Sequence, residues 1–144
     1  STSFMKTELL AMQLGPEADS TPEILWNYKR SVPRMPSPLL VGDAVYLFSD
    51  KGIATCLDRH TGEARWTDRL GGSFSSSPIL ADGKIYIGNR EGEMFVIQPG
   101  DELDILSKNE FGEAVMASPA AIENSLYVRT EKAMYRIEKT NVKQ

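Results

Sequence analysis

Apolar residues in this chain come in short consecutive runs, each closed by turn-forming residues, and the runs repeat in the same order. The dipeptides Ser37-Pro38, Ser77-Pro78 and Ser118-Pro119 lie 40 and 41 residues apart. Eight residues beyond each proline stands a tyrosine, Tyr46, Tyr86 or Tyr127, directly preceded by Val45, Ile85 or Leu126. Between proline and tyrosine come the pairs Gly42-Asp43, Asp82-Gly83 and Glu123-Asn124. Glycine and aspartate in such pairs supply the left-handed backbone of a tight hairpin. A second turn follows the tyrosine strand, with Gly52 and Gly92 in register and Lys132 departing from the pattern. Another apolar strand comes next: Ile53–Leu57, Met94–Ile97, Ala133–Ile137. The fourth element ends in an aromatic. Trp26 and Trp66 each stand twelve residues before the next serine-proline proline, and Leu106 is given the equivalent place in the following unit.

Four short strands per unit, with turns every 8–12 residues, predict an antiparallel all-β fold. Val45-Tyr46-Leu47-Phe48 and Ile85-Tyr86-Ile87 are apolar at successive rather than alternate positions, so both faces of these strands are expected to be buried. Stacked four-stranded sheets satisfy that requirement. A period near 40 therefore predicts β-propeller blades, whereas an immunoglobulin-like sandwich does not repeat its own motif at fixed spacing. Upstream, Leu9–Gln13 resembles Thr55–Asp58, and residues 14–22 read as a polar, proline-containing loop. We divide the chain, as one propeller domain, into outer strands of a partial blade plus linker (1–36), complete blades (37–76 and 77–117) and three strands of a last blade with a tail (118–144). This makes about 3 to 3.6 blades, below the usual closed ring. Open strand edges follow, and the isolated chain is expected to form a homo-oligomer through its incomplete terminal blades.

Composition narrows the possible functions. Sixteen basic and 20 acidic residues give a net charge of -4, with the positive charges scattered, so no nucleic-acid footprint is present. No apolar run approaches the ~20 residues of a spanning helix. Cys56 is the only cysteine, which excludes an internal disulfide and a cysteine-rich zinc site.

The segment Cys56-Leu57-Asp58-Arg59-His60-Thr61-Gly62-Glu63-Ala64-Arg65-Trp66 resembles the A-x-D-x-x-T-G-x-x-x-W tryptophan-docking signature of the PQQ-like β-propeller repeat family. That family holds quinoprotein dehydrogenases, outer-membrane assembly lipoproteins and kinase-attached sensor domains. The similarity covers residues 37–139 well and the first 32 more weakly, and it implies the C-terminal part of a larger propeller. The following unit departs from the motif, with Gln98-Pro99-Gly100-Asp101 and Leu106 in its place. The motif has its own physics. Asp58 can accept from turn amides, Thr61 can do so more weakly, and Gly62 supplies a left-handed position. Trp26 and Trp66 offer large apolar faces and an indole N–H that needs an acceptor.

The resemblance also implies where a quinone dehydrogenase would carry its chemistry: a vicinal cysteine pair and a calcium site in the channel. One cysteine cannot make that pair, and no acidic pair in the inner strands suggests the calcium site. A catalytic role for His60 would need a partner carboxylate and a nucleophile placed around it, and its place in a hairpin turn predicts a solvated loop residue instead. Ser73, Ser75, Ser76 and Ser77 lack a G-x-S-x-G elbow, and Gly71-Gly72 is followed by neither lysine nor helix. No catalytic, cofactor or metal site is therefore expected. The candidate interaction face is the set of linkers between blades, with Arg34, Arg69, Phe74 and Phe111 combining guanidinium and aromatic groups; packing of Phe74 and Phe111 between blades is the alternative. The expected function is a non-catalytic protein-interaction or scaffold module. The alternatives are a fragment of a PQQ-dependent dehydrogenase and a ligand-sensing propeller attached to another module. The resemblance further implies export to the periplasm or beyond.

Overall fold

The computed structural model describes residues 7–17 and 19–138. Among them the chain forms thirteen strands in four antiparallel sheets and no helix. The first sheet pairs β1 (Leu9–Gln13) with β2 (Glu23–Tyr28). The second runs β3 (Leu39–Val41), β4 (Ala44–Phe48), β5 (Ile53–Asp58), β6 (Ala64–Arg69). The third repeats this order as β7 (Ile79–Ala81), β8 (Lys84–Gly88), β9 (Glu93–Gln98), β10 (Asp104–Glu110), and the fourth holds β11 (Ala120–Ile122), β12 (Ser125–Arg129), β13 (Met134–Glu138). Each sheet is a simple meander, and β3 lies against β7, so the short first strands gather on the inner side. The fold is a partial β-propeller. Residues 139–144, part of the tail expected after the last strand, lie outside the described residues.

Burial on both faces is what the consecutive apolar runs require. Tyr46, Leu47 and Phe48 are all buried, as are Ile85 and Ile87. The larger core lies between the second and third sheets, where Tyr46, Phe48, Ala54 and Cys56 meet Ile85, Ile87, Phe95 and Ile97. The smaller core, between the third and fourth sheets, joins Met94, Val115 and Val128 to the half-buried Tyr86, Phe111 and Leu126. Phe74 and Val115 hold equivalent places, four residues before their prolines, and each is a plug between sheets. Phe74 faces Phe48, whereas Val115 packs on the bare Cα of Gly88, where a Cβ would come within 2.4 Å of its methyl. Large meets large at one junction, and a mid-sized side chain meets none at the other.

Backbone polar groups are matched between sheets as well as within them. The Ser37 N–H donates to Ser77 Oγ, and the Ser77 N–H donates to Ser118 Oγ, each at 2.9 Å. The serine-proline serines thus link three neighbouring sheets along their inner edge. Ser49, Asn89 and Thr130, again 40 and 41 residues apart, close the turns after β4, β8 and β12. Their side-chain oxygens accept from the N–H of Ile53 (3.1 Å), Glu93 (2.8 Å) and Ala133 (3.0 Å). This is the side-chain capping expected of short polar residues in turns.

Two sequence expectations change. In β10 the residue opposite Val96 is Ser107, as Trp66 is opposite Cys56, while Leu106 is the extra residue of a bulge. Leu106 therefore corresponds to Arg65, and the tryptophan position of the third sheet is a serine. The departure at Lys132 is a deletion. Phe48 pairs with Ala54 and Gly88 with Met94, but Arg129 pairs with Met134, so the turn is one residue shorter and the left-handed glycine is the residue it lacks.

Ser31 adopts φ 47° at the place where the next two linkers have Gly71 (φ 85°) and Gly112 (φ 69°). A side chain in this region costs about 1–2 kcal/mol. Ser31→Gly is accordingly expected to stabilise the chain by up to about 1 kcal/mol after the loss to glycine's greater unfolded freedom, read as a raised urea midpoint.

Candidate interaction rim

The sheets have two ends that differ chemically. At one end lie the turns joining third to fourth strands, where the docking motif sits. Asp58 Oδ1 accepts from the amides of His60 (2.9 Å) and Thr61 (3.1 Å), and Thr61 Oγ1 accepts from the Glu63 amide (3.2 Å). Gly62 has φ 72°, and a Cβ there would fall 2.6 Å from the Trp26 ring, so glycine is required on two counts. The Trp26 indole lies on this turn and donates to Arg59 O at 2.8 Å. Trp66 repeats the contact one sheet onward, donating to Gly100 O at 3.0 Å, with the Tyr46 hydroxyl accepting from the Gly100 amide at 2.9 Å. Burial pushes the Tyr46 hydroxyl up to about 12 and raises the Cys56 thiol. Neither group is poised to react near neutral pH.

Arg59 and Arg65 at this end are both occupied. Arg65 pairs with Asp58 at 2.7 Å and reaches Asp101 at 3.5 Å; Arg59 and His60 both approach Asp43, at 3.2 and 3.4 Å. The Arg65 guanidinium, followed by the two turn amides, holds the Asp58 carboxyl down to about 2. Because the folded pKa is depressed, the stabilisation is complete above the ordinary aspartate range near ~4. It is lost as pH falls from there through about 2. Urea midpoints measured from pH 5 to pH 2 are expected to fall less steeply in Asp58→Asn than in the parent.

The opposite end carries the linkers between sheets. Each entering linker is clamped by a carboxylate to the sheet it enters. Asp50 accepts from the Arg34 amide (3.2 Å), and Glu91 accepts from the Ser73 amide and hydroxyl (2.9 and 3.1 Å). Glu113, in the third linker, accepts from the Thr130 hydroxyl (2.8 Å) and the Lys132 amide (3.2 Å). Backbone bonds complete the seal. Leu70 and Gly71 amides donate to Gly52 O, Phe111 to Gly92 O, Arg90 to Ser73 O and Glu131 to Ala114 O.

This end contains the four residues singled out for an interaction face, but they do not form one surface. Phe74 is wholly buried between Phe48 and Phe95, with ring centroids 6.1 and 6.0 Å away. It is a core residue and is withdrawn from the face. Phe111 is half-buried against Tyr135 in an edge-on contact at 5.1 Å, so it too serves the packing between sheets. Arg69 is exposed but closes β6 rather than lying in a linker. Arg34 is exposed at the place where Phe74 and Val115 are plugs. Exposed on the same end but not singled out from the sequence are Met35 and Met116, 51% and 52% exposed at equivalent linker positions, and Arg90, whose Nη2 lies 3.8 Å from Met35 Sδ. The repeat alignment could have found both methionines.

Three of the four serines considered as nucleophiles are engaged in structural hydrogen bonds. Ser73 is held by Glu91, Ser76 Oγ donates to Gly88 O at 2.7 Å, and Ser77 accepts from Ser37. Among the described residues no group of three or more histidine, cysteine, aspartate or glutamate side chains is arranged to hold a metal ion. No helix among them is long and apolar enough to cross a membrane.

Meandering sheets stacked through tryptophans on the turns of the next sheet define a β-propeller built of PQQ-like repeats. Residues 17–142 match the family profile described as outer membrane protein assembly factor BamB, and the chain belongs to that family. The protein of that name from Burkholderia pseudomallei is 31% identical over 93 residues, 64% of this chain and 23% of the relative. Its namesake from Marinobacter adhaerens is 23% identical over 91 residues, 63% of this chain and 23% of the relative. The chain thus spans about a quarter of the length of these curated relatives. Among solved structures, BamB from Moraxella catarrhalis superposes with a TM-score of 0.68 at 16% identity, over 80% of this chain and 36% of that one. A europium-containing methanol dehydrogenase superposes at 0.59 with 14% identity, over 72% of this chain and 21% of that one. At such identities the likeness is one of fold.

Proposed function

We propose that this chain is part of a non-catalytic protein-interaction propeller that works outside the cytoplasm in the assembly of outer-membrane proteins. The observation that carries the reading is the contrast between the two ends. The docking end uses its arginines, tryptophans and turn carboxylates on itself, while the linker end holds exposed Arg34, Met35, Arg69, Arg90 and Met116 on a clamped backbone. Arginine and methionine are enriched where proteins meet. Family membership supports the cellular role, because the relatives bear the name of an assembly factor.

The test is made in the full-length protein in its own host. Reversing Arg34 and Arg90 to glutamate should reduce crosslinking to the outer-membrane protein assembly machinery and lower outer-membrane protein levels, with circular dichroism unchanged. Unaltered crosslinking would set the reading aside. So would dye-linked alcohol oxidation by the full-length protein supplied with pyrroloquinoline quinone and calcium.

We also propose that the isolated chain self-associates. Met12, Leu14, Ile24 and Leu25 are exposed on or beside the first sheet, and Ile122, Met134 and Ile137 on the last. Exposed apolar side chains on sheets with open edges favour association. Sedimentation velocity at tens of micromolar should give a mass above that of one chain; a stable monomer would count against it.

A further inference from the structure

We infer that Arg34, Met35 and Arg90 form one anchor for a short acidic segment of a protein partner. The segment would place a carboxylate on the guanidiniums and an apolar side chain on the Met35 thioether. This rests on the interaction reading above and names what the rim would bind.

Three observations meet at this place. The first is free charge. Among the described residues Arg34 and Arg90 have no carboxylate in ion-pair range, although Arg59 and Arg65 at the other end each have one. A guanidinium is weakly hydrated and presents a planar fork that matches a carboxylate, so an unpaired one on a surface is a ready bidentate donor. The second is an apolar contact point beside Arg90. Met35 follows Arg34 directly, is half exposed, and has its sulfur 3.8 Å from Arg90 Nη2. Its flexible, polarizable side chain can adapt to an apolar neighbour. The third is preorganisation. The Arg34 amide is held by Asp50 of the β4–β5 turn and the Arg90 amide by Ser73 O of a linker, so the backbone is fixed on either side. Less ordering is then required on binding.

The surrounding charges select the class of partner. Asp50 and Glu91 stand beside the two arginines, and the chain carries a net charge of -4. A nucleic acid or other polyanion would meet these carboxylates along its length, whereas a segment with one or two acidic residues would not.

The 144-residue chain is to be labelled on its methionine methyl groups and titrated with a peptide of about a dozen residues in which a single glutamate-leucine pair is set among glycine and serine. Peptides with glutamine or lysine in place of the glutamate serve as comparisons. The Met35 methyl resonance should shift saturably with the glutamate peptide alone, while Met134 stays still. Raising salt from ~0.05 to ~0.5 M should weaken the effect. Arg34→Ala with Arg90→Ala should raise Kd about tenfold or more, and Arg59→Ala should leave it unchanged. Absence of a shift, an equal shift with the glutamine peptide, or equal displacement by single-stranded DNA would overturn the anchor. Crosslinking in the host is read separately, so the anchor can fail while the assembly role stands.

Discussion

Phe74→Ala is expected to destabilise the chain by about 3–5 kcal/mol, the range for removing a fully buried aromatic. The ring has no exposed surface and is flanked by Phe48 and Phe95, one from each of two neighbouring sheets. Those rings cannot close the gap without moving the sheets together, and the sheets are spaced by the Ser37–Ser77 link and by the Trp66 contact on Gly100. The cavity should therefore persist. Against a typical domain stability of 5–15 kcal/mol this is a loss of a fifth or more, visible as a much lower urea midpoint. Arg34→Ala at the equivalent, exposed position should change stability by less than about 0.5 kcal/mol. A Phe74→Ala loss under about 1 kcal/mol would mean that this junction is not a packed core.

Gly92→Ala is expected to cost about 2–3 kcal/mol through two additive causes. Gly92 sits at φ 87°, where an L-residue is strained by about 1–2 kcal/mol. A Cβ would also stand 2.8 and 2.9 Å from the carbonyl oxygen and amide nitrogen of Glu113. Those are backbone atoms, so the linker must shift, which strains or breaks the Phe111 N–H bond to Gly92 O and gives up roughly 1 kcal/mol. Gly83→Ala separates the causes. Its φ is 68° but nothing lies within 4 Å of the added methyl, so only the conformational part should appear. Equal losses at both sites, by urea denaturation, would show that the linker yields freely.

Much of this fold was legible because its physics is local and repeated. Serine-proline, tyrosine and glycine positions recur at nearly fixed spacing, and each turn type needs residues that can be read directly. The misreading of Leu106 shows where that stops. A bulge inserts one residue, and only the pairing of Ser107 with Val96 shows which residue fills the tryptophan position. The turn beside Lys132 is similar, since a deletion and a substitution look alike until the strand pairing is known. The candidate face was less legible. Phe74 and Arg34 occupy the same place in successive units, and composition favours both for an interface, yet one is sealed in a core and the other is open.

The all-β class, the repeat period, the hairpin chemistry and the docking motif follow from the order of residues, because each depends on residues close together in the chain. Tertiary structure alone decided which aromatic is a plug, which arginines are spent on neighbouring carboxylates, and that Met35 and Arg90, 55 residues apart, meet on one rim. Burial and charge pairing are properties of stacked sheets, and stacking brings together residues whose separation along the chain carries no sign of their contact.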